Sequence, residues 1–476
     1  MSAIVLQSID SPRRDFEWRL FIAAKLSQKN IASIIGNGGA VSRIHKYSKN
    51  CIYLGRLNSN TARSENDKRY LMQMMQNGTK VFFIHDEGGL YLKSDYEAAV
   101  RRVYPEEYFA LSFFKKVFFW GDRQKRVFSQ NGGNHEKFEI VGAPRLDLCR
   151  PKYAWIDAPS VESLHAKYGK YVLVCSRFSA MNPVNEDPSP ISKRTLAIRI
   201  EGGDRREKSD ILKFMFEAWG KAAYEYSHFV PMIAFLAIDF PDINFVVRPH
   251  PGEKEGFYNE SLCHFDNVFI EKGGDVRPVI RAAMAVIHSE CTTGIEAEIC
   301  GIPNINFRPT MGNEKYDTYS VAGVSEVGDT AKGYLEVKEQ LEKLRRGECL
   351  APKNTKAVQD IVNNADGIHE ACDLMASSIE GFVSRCGVES DIDWCRYQIS
   401  FITANLTPKS LFKGMIKRMR ESIRKLNVAP EANYSGDTKA YSFSEKRIRT
   451  LWQNFGGDPQ SIKIAKGVVY TYPRDL

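Results

Sequence analysis

The sequence predicts an α/β protein: two Rossmann-like lobes with parallel sheets facing a cleft, followed by a helical C-terminal region. Three observations carry this. From the N-terminus to about residue 330, short apolar runs of strand length alternate with helical segments, the pattern of a parallel sheet built with crossovers. Most of these runs end in a glycine or proline turn, at the strand ends where an open α/β sheet presents its ligands. The alternation breaks once, near Pro151, and then resumes, so the unit is used twice. A chain of 476 residues has room for this, at roughly 150 residues per domain.

The elements follow in order. AIVLQSI reads as a strand, and Glu17 to Gln28 carries helical apolar spacing. IASIIGNGG is a strand entering a glycine turn. Lys68 to Gln76 is helical, and Asn77-Gly78 stops it. VFFIHDEGG, KKVFFWGD and FEIVGAPRLD are three further strand-and-turn units that complete a first domain over 1–150. PKYAWIDAPS, with two prolines and no period, reads as a linker over 151–160. A second Rossmann-like domain, 161–335, starts at YVLVCSRF. Its polar stretch from Met181 to Asp210 reads as a long surface loop. A helix near Lys213 to Leu236 leads into DINFVVRPHP, and NVFIEKGG, AAMAVIHSE and IPNINFRP continue the strands. CTTGIEAEIC is a short helix between the last two. From about Val337 the pattern turns to helices with no strand series, giving a helical region over 336–476.

Composition excludes several classes. Charged residues at 26% and apolar residues at 43% are those of a globular chain, not a disordered or fibrous one. No apolar run reaches the 18 or so residues of a transmembrane helix. The ten cysteines form no CxxC pair, fit no zinc spacing and are too sparse for a disulfide scaffold. MSAIVLQSIDSPRRDF lacks the apolar core of a signal peptide, so a reducing cytoplasm is expected.

The net charge of +8 is concentrated in one place. Residues 409–427, KSLFKGMIKRMRESIRKLN, hold seven basic side chains against Glu421 alone, which is +6 of that total. Leu411, Phe412, Met415, Ile416, Met419, Ile423 and Leu426 form one apolar helical stripe. Such a helix suits an anionic membrane surface or a partner, and equally its own core with a solvated basic face. A membrane-bound reading places the protein on the inner face of the cytoplasmic membrane. The rest of the chain is nearly neutral and carries no RNP, KH or helix-turn-helix signature, so no nucleic acid is expected as a partner.

Two segments carry chemistry. In FVVRPHPGE, Arg248 and His250 follow a buried strand, and Pro249 and Pro251 stiffen the turn that presents them. In VIHSECTTGIEAEICGIP, Ser289, Thr292 and Thr293 stand between a strand and a helix, where hydroxyls and backbone N–H groups suit a phosphate. Glu296, on the first turn, suits a ribose diol. A lone RPHP is as often a solvated turn, and a lone Thr-Thr is usually a cap; their succession on neighbouring βα units makes the ligand reading the stronger. Asp86 and Glu87 end the strand VFFIH ahead of Gly88-Gly89 and are the acid/base candidates, against a capping or ion-pair role. No DxD-type pair stands out as a metal site and no cofactor is expected. A leaving nucleoside phosphate would be stabilised by Arg248, His250 and the helix dipole.

RPHP, a strand, an S/T-rich turn with GxEA and then GxP resembles the nucleotide-binding half of GT-B glycosyltransferases. The resemblance is strongest to the bacterial surface-carbohydrate biosynthesis group, related to capsule Kdo transferases that use CMP-sugars and, more distantly, to CDP-glycerol glycerophosphotransferases. SPRRDFEWRLFIAAKL, FFIHDEGGL, VFFWGD and VGAPRLDL fall in the order of that group, over roughly residues 1 to 330. The resemblance implies that Arg248 and His250 contact the donor's phosphate, that Ser289, Thr292 and Thr293 help hold it, and that Glu296 holds the ribose. It implies a nucleotide-sugar donor, most specifically a CMP-linked Kdo-type ulosonic acid, and a saccharide or lipid-linked glycan acceptor. It also implies a carboxylate nucleophile early in the second lobe; SRFSAMN holds none before Glu186 and Asp187, a departure from the retaining pattern. Nucleotide-sugar epimerases and CDP-polyol phosphotransferases share the phosphate-binding logic and remain alternatives, as does a non-catalytic assembly subunit.

Overall fold

The computed structural model describes residues 3–9, 11–56, 65–86, 90–104, 106–129, 135–184, 196, 200, 206–348, 358–397, 444–465 and 468–472. The basic segment 409–427, Glu87, Glu186 and Asp187 lie outside the described residues. The strands in chain order are β1 (Ile4–Ile9), β2 (Ala32–Asn37), β3 (Ser48–Lys49), β4 (Ile52–Gly55), β5 (Lys80–Ile84), β6 (Phe114–Phe119), β7 (Phe138–Ile140) and β8 (Tyr171–Cys175). They continue with β9 (Asn244–Arg248), β10 (Val268–Ile270), β11 (Ala285–His288), β12 (Asn304–Phe307), β13 (Asp329–Ala331), β14 (Asp391–Ile392), β15 (Ile462–Ala465) and β16 (Val468–Thr471). The chain divides into two compact units: 1–55 with 68–82 and 378–476, and 56–67 with 83–377.

In the first unit the strands run in the order β15-β16-β2-β1-β4-β5. β1 pairs parallel to β2 and to β4. Val5, Leu6 and Ile9 are fully or almost fully buried, as are Ile34 and Ile35, the near-continuous apolar burial of a sheet covered on both faces. The helix Pro12–Ser27 starts with Pro12 in its first turn, where a missing N–H costs nothing, and buries Phe16, Trp18 and Phe21.

The C-terminal region departs from the helical expectation. It does hold the helices Tyr334–Arg345, Ala371–Cys386 and Glu445–Asn454. But β15 and β16 form an antiparallel hairpin, and β16 pairs antiparallel to β2 through Val469–Ile35 and Tyr470–Ile34. β14 pairs with β3. The strands of the hairpin are four residues each, too short for their alternation to stand out against the preceding helix.

The second unit holds the parallel pair β6–β7 and a six-stranded sheet, β10-β9-β8-β11-β12-β13, parallel throughout. Counted from β8, that order is 3-2-1-4-5-6, the doubly wound arrangement, and its direction reverses between β8 and β11. Val172, Val174, Val247, Ile287 and Ile305 form one side of its core, against Phe229, Met232, Ile233 and Leu236 of the long helix Lys208–Asp239. Residues 151–160 are not an irregular linker. A 3-10 helix over Pro151–Ile156 runs into the helix Ala158–Tyr168, and both prolines sit in first turns. Asp157 between them is buried and paired with Arg277 at 2.7 Å and Arg281 at 2.9 Å.

Candidate functional site

The register of the second sheet brings the candidate residues to one edge. Cys175 on β8 lies level with Arg248 on β9 and His288 on β11, and His288 lies level with Asn306 on β12. Four adjacent strands therefore end together and deliver Arg248, Ser176-Arg177, Ser289-Glu290 and Arg308 in a row. The helix Thr292–Cys300 starts beside them, after β11. This is the C-terminal side of the sheet at its switch point, the place where open α/β sheets bind ligands.

The turn after β11 is tightly specified. Glu290 takes a left-handed backbone conformation, φ 46°, which is uncommon for a residue with a side chain. Its N–H donates to Asn306 Oδ1 at 3.0 Å, and the Cys291 N–H donates to His288 Nδ1 at 3.3 Å. The His288 proton is therefore on Nε2, which faces Asn304 Oδ1 at 3.2 Å. Burial holds this imidazole at a pKa of about 4 and keeps it neutral. Gly294 packs directly on the ring, and a Cβ there would overlap it. His288 is thus the floor of the turn.

Three polar atoms of the predicted residues are buried at this edge with no hydrogen-bond partner among the described residues: Arg248 Nη1, Ser289 Oγ and Glu296 Oε2. An unmade hydrogen bond on a buried group costs about 1–3 kcal/mol, more for a charged one, so such a cluster is where a polar ligand is accommodated. Arg248 is steadied by Nη2, which donates to the Gly274 carbonyl at 2.7 Å. Thr293 is buried with Oγ1 3.2 Å from Cys291 Sγ, and Thr292 is half-buried at the first position of the helix. His250 is exposed; its Nδ1 accepts from the Gly252 N–H at 3.1 Å, leaving the ring proton on Nε2. Asp86 is buried just after β5, on the first sheet rather than on this edge.

Several residues of the site were not singled out from the sequence. Arg145, in GAPRLD, donates through Nη1 to Glu296 Oε1 at 2.7 Å. Burial raises the Glu296 pKa while Arg145 opposes the rise. Asn364 fixes that motif by bonding Ala143 in both directions, at 2.9 and 3.0 Å, over Gly142. Gly142 has φ 99° and leaves no room for a Cβ against Asn364. Glu253, the last residue of RPHPGE, is fully buried. Its carboxylate accepts from Ser176 Oγ at 2.9 Å, the Phe178 N–H at 2.6 Å and Tyr258 Oη at 2.6 Å. Ser176 Oγ in turn accepts from the His250 N–H at 3.2 Å, so Glu253 ties the RPHP turn to the end of β8.

Behind the edge lies a buried ionic cluster. Glu290 Oε2 is 2.9 Å from both Arg177 Nη2 and Lys221 Nζ, and Oε1 is 2.9 Å from Arg308 Nε, though off the line of a hydrogen bond. Burial alone would raise the Glu290 pKa; Arg177, Lys221 and Arg308 outweigh it and bring it down to about 2. Lys221 also meets Glu225 at 2.6 Å, and Thr310 Oγ1 donates to Glu225 at 2.6 Å. The sign of a signal was present: a carboxylate directly after a strand and beside Ser289, in HSE, with an arginine after β12 in NFRP.

Among the described residues no three His, Cys, Asp or Glu side chains gather as a metal site, and no helix is long and apolar enough to cross a membrane. No family model matches the sequence, and neither does any curated protein. Solved structures do resemble this one. The UDP-GlcNAc 2-epimerase of Methanocaldococcus jannaschii is 14% identical, with 80% of this chain and 99% of that one covered and a TM-score of 0.46. The UDP-GlcNAc 2-epimerase of Neisseria meningitidis, bound to UDP-GlcNAc, is 11% identical over 80% of this chain and 99% of that one, with a TM-score of 0.45. The wall teichoic acid polymerase TagF is 10% identical over 80% of this chain and 88% of that one, with a TM-score of 0.41. Likeness at this level carries no activity from those proteins to this chain.

Proposed function

We propose that the protein is a metal-independent glycosyltransferase of the GT-B type that uses a nucleotide-activated sugar, most specifically a CMP-linked Kdo-type ulosonic acid, in bacterial surface polysaccharide synthesis. The observation that carries the nucleotide reading is the trio of buried, unpartnered atoms Arg248 Nη1, Ser289 Oγ and Glu296 Oε2 at the switch point of a doubly wound sheet. The sugar and the pathway are supported by the sequence resemblance alone.

In this reading Arg248, Ser289 and the N-terminus of the helix Thr292–Cys300 take the donor's phosphate, joined by His250 through Nε2–H. Glu296 Oε2 accepts from the ribose diol, while Arg145 holds the other oxygen and keeps the carboxylate turned. As the glycosidic bond breaks, negative charge grows on the leaving phosphate, and these donors meet it without reorganising. Asp86 or Glu87 accepts the proton of the acceptor hydroxyl. A saccharide or lipid-linked glycan is the acceptor, and the basic segment 409–427 brings the protein to an anionic membrane surface.

Calorimetry with CMP, CDP and UDP tests the site. Binding of a cytidine nucleotide is expected, weakened at least tenfold in Arg248→Ala and in Ser289→Ala. A chain that binds none of the three overturns the cytidine-nucleotide reading. Donor incubated without acceptor should persist; its conversion to an isomer would replace the transferase by an epimerase.

A further inference from the structure

Arg248 and Ser289 leave the ligand edge of the second sheet on β9 and β11. The strand between them is β8, about 4.8 Å from each. Its exit carries Ser176, which is tied to Glu253, and then Arg177. Arg177 therefore stands at the switch point itself, beside the exits that hold the phosphate-side residues.

The ionic cluster to which Arg177 belongs is not balanced. Its cations are Arg177, Lys221 and Arg308, and its carboxylates are Glu225 and Glu290. Arg308 also reaches Asp317 at 3.5 Å, but Asp317 is matched by Lys93 at 3.0 Å. One positive charge is left over, and a surplus charge away from water is costly until an anion meets it. The surplus has one outlet. The side chain of Arg177 is 23% exposed, against 2% for Lys221 and 8% for Arg308. Arg177 also has donors to offer. Among the described residues only its Nη2 donates, to Glu290, and its Nε is buried without a partner. Arg248 on the next strand is alike: a backbone carbonyl holds Nη2, Nη1 is buried without a partner, and no ion pair cancels its charge among the described residues. Two neighbouring strand exits thus each bring one unbalanced positive charge to the edge, and a single phosphate group matches only one of them.

We propose that Arg177 is a specificity-determining residue that takes a second anionic group of the donor, carried next to the phosphate held by Arg248 and Ser289. The proposal rests on the reading of Arg248, Ser289 and Glu296 as the nucleotide site. Two donor chemistries supply such a group. In a CMP-linked ulosonic acid the anomeric carbon bears both the phosphate oxygen and a carboxylate. In a nucleoside diphosphate sugar the β-phosphate follows the first. Either anion completes the charge of the cluster through the free N–H groups of Arg177, by charge-assisted hydrogen bonds. A donor with one phosphate and a neutral sugar leaves the guanidinium unmatched, and a site built to pair a substrate group discriminates against the analogue that lacks it.

Calorimetry on the full chain reads this out, with CMP, with CDP, and with free Kdo added to CMP-saturated protein. Arg177→Gln is expected to leave CMP binding within about twofold and to weaken one of the other two by about tenfold or more: CDP where the second anion is a phosphate, Kdo where it is a carboxylate. Arg177→Lys keeps the cation and should recover most of that loss. Thermal melts verify that both variants are folded. The inference is overturned by a wild type that binds CMP but binds CDP no more tightly and takes no Kdo. It is equally overturned by an Arg177→Gln that spares all three probes or weakens all three alike, and by a lysine that recovers nothing. Each of these results leaves the nucleotide reading in place. A wild type that binds neither CMP nor CDP overturns the cytidine-nucleotide reading itself, and this inference with it.

Discussion

Glu290 joins backbone strain to buried charge, and each explains the other. A left-handed conformation at a residue with a side chain costs on the order of 1–3 kcal/mol and persists only where its surroundings fix it. Here Asn306 holds the N–H and three cations hold the carboxylate. Glu290→Gln would leave Arg177 and Lys221 to share Glu225, and Arg308 with Asp317 alone at 3.5 Å; removing one partner of a buried ionic group typically costs about 3–5 kcal/mol. Urea denaturation at pH 7 should show that loss. The pH dependence has a definite sign. The folded pKa, about 2, lies below the usual 4.5, so the contribution is full above 4.5 and disappears as the pH falls from there towards 2. Wild type minus variant should shrink over that window; a constant difference would show that the carboxylate's charge is not what matters. Before the structure, Glu290 was one more residue in HSECTTG. Its partners lie on the exit of β8, on the long helix and on the exit of β12, and only the sheet order brings them together.

At the scale of elements, the order of strands and helices was legible because buried parallel strands are continuous apolar runs, and because Gly and Pro mark their ends. Arg248 and Ser289 were legible as strand-end residues for the same reason. What the sequence hid were attachments across long separations. GAPRLD was recognisable as a strand exit, but its clamp is Asn364, more than two hundred residues away. The same clamp holds Asp147, which caps the helix Ala371–Cys386 by accepting from the Ala371 N–H at 3.0 Å and the Cys372 N–H at 2.8 Å. Burial outweighs these bonds and lifts its pKa from 3.8 to about 6. The sign is opposite to that of Glu290: the folded state binds this proton more tightly, so stability from this group falls as the pH rises from 3.8 through about 6. Asp147→Asn should therefore gain on wild type over that interval, as followed by thermal melts in matched buffers. A variant that tracks wild type at every pH would mean that Asp147 does not titrate there.

At the scale of the molecule, the first unit is closed by residues from the far end of the chain. β2 lies between β1 and β16, and the helix Glu445–Asn454 packs on the helix Pro12–Ser27, with Phe455 and Phe21 ring centroids 4.8 Å apart and Arg447 2.9 Å from Glu17. Ile448, Leu451, Trp452, Phe455, Ile462, Val468 and Val469 are each at most 6% exposed. Burial of such side chains contributes about 1.5–3 kcal/mol each. Seven of them together are comparable to the whole stability of an ordinary domain, about 5–15 kcal/mol. Without them β2 also becomes an edge strand whose N–H and C=O groups are open to other chains. A chain ending at residue 443 is therefore expected to lose the fold of the first unit rather than weaken it, and to aggregate through β2. Hydrogen exchange followed by mass spectrometry distinguishes the two outcomes: protection over residues 32–37 should vanish in the shortened chain, whereas retained protection there would mean that β1 and the covering helix suffice. The same experiment tests the second unit independently, because the parallel sheet from β8 to β13 draws none of its strands from beyond residue 331. Its amides should keep their protection, which would place Arg248 and Ser289 on a sheet that does not need the C-terminal hairpin to fold.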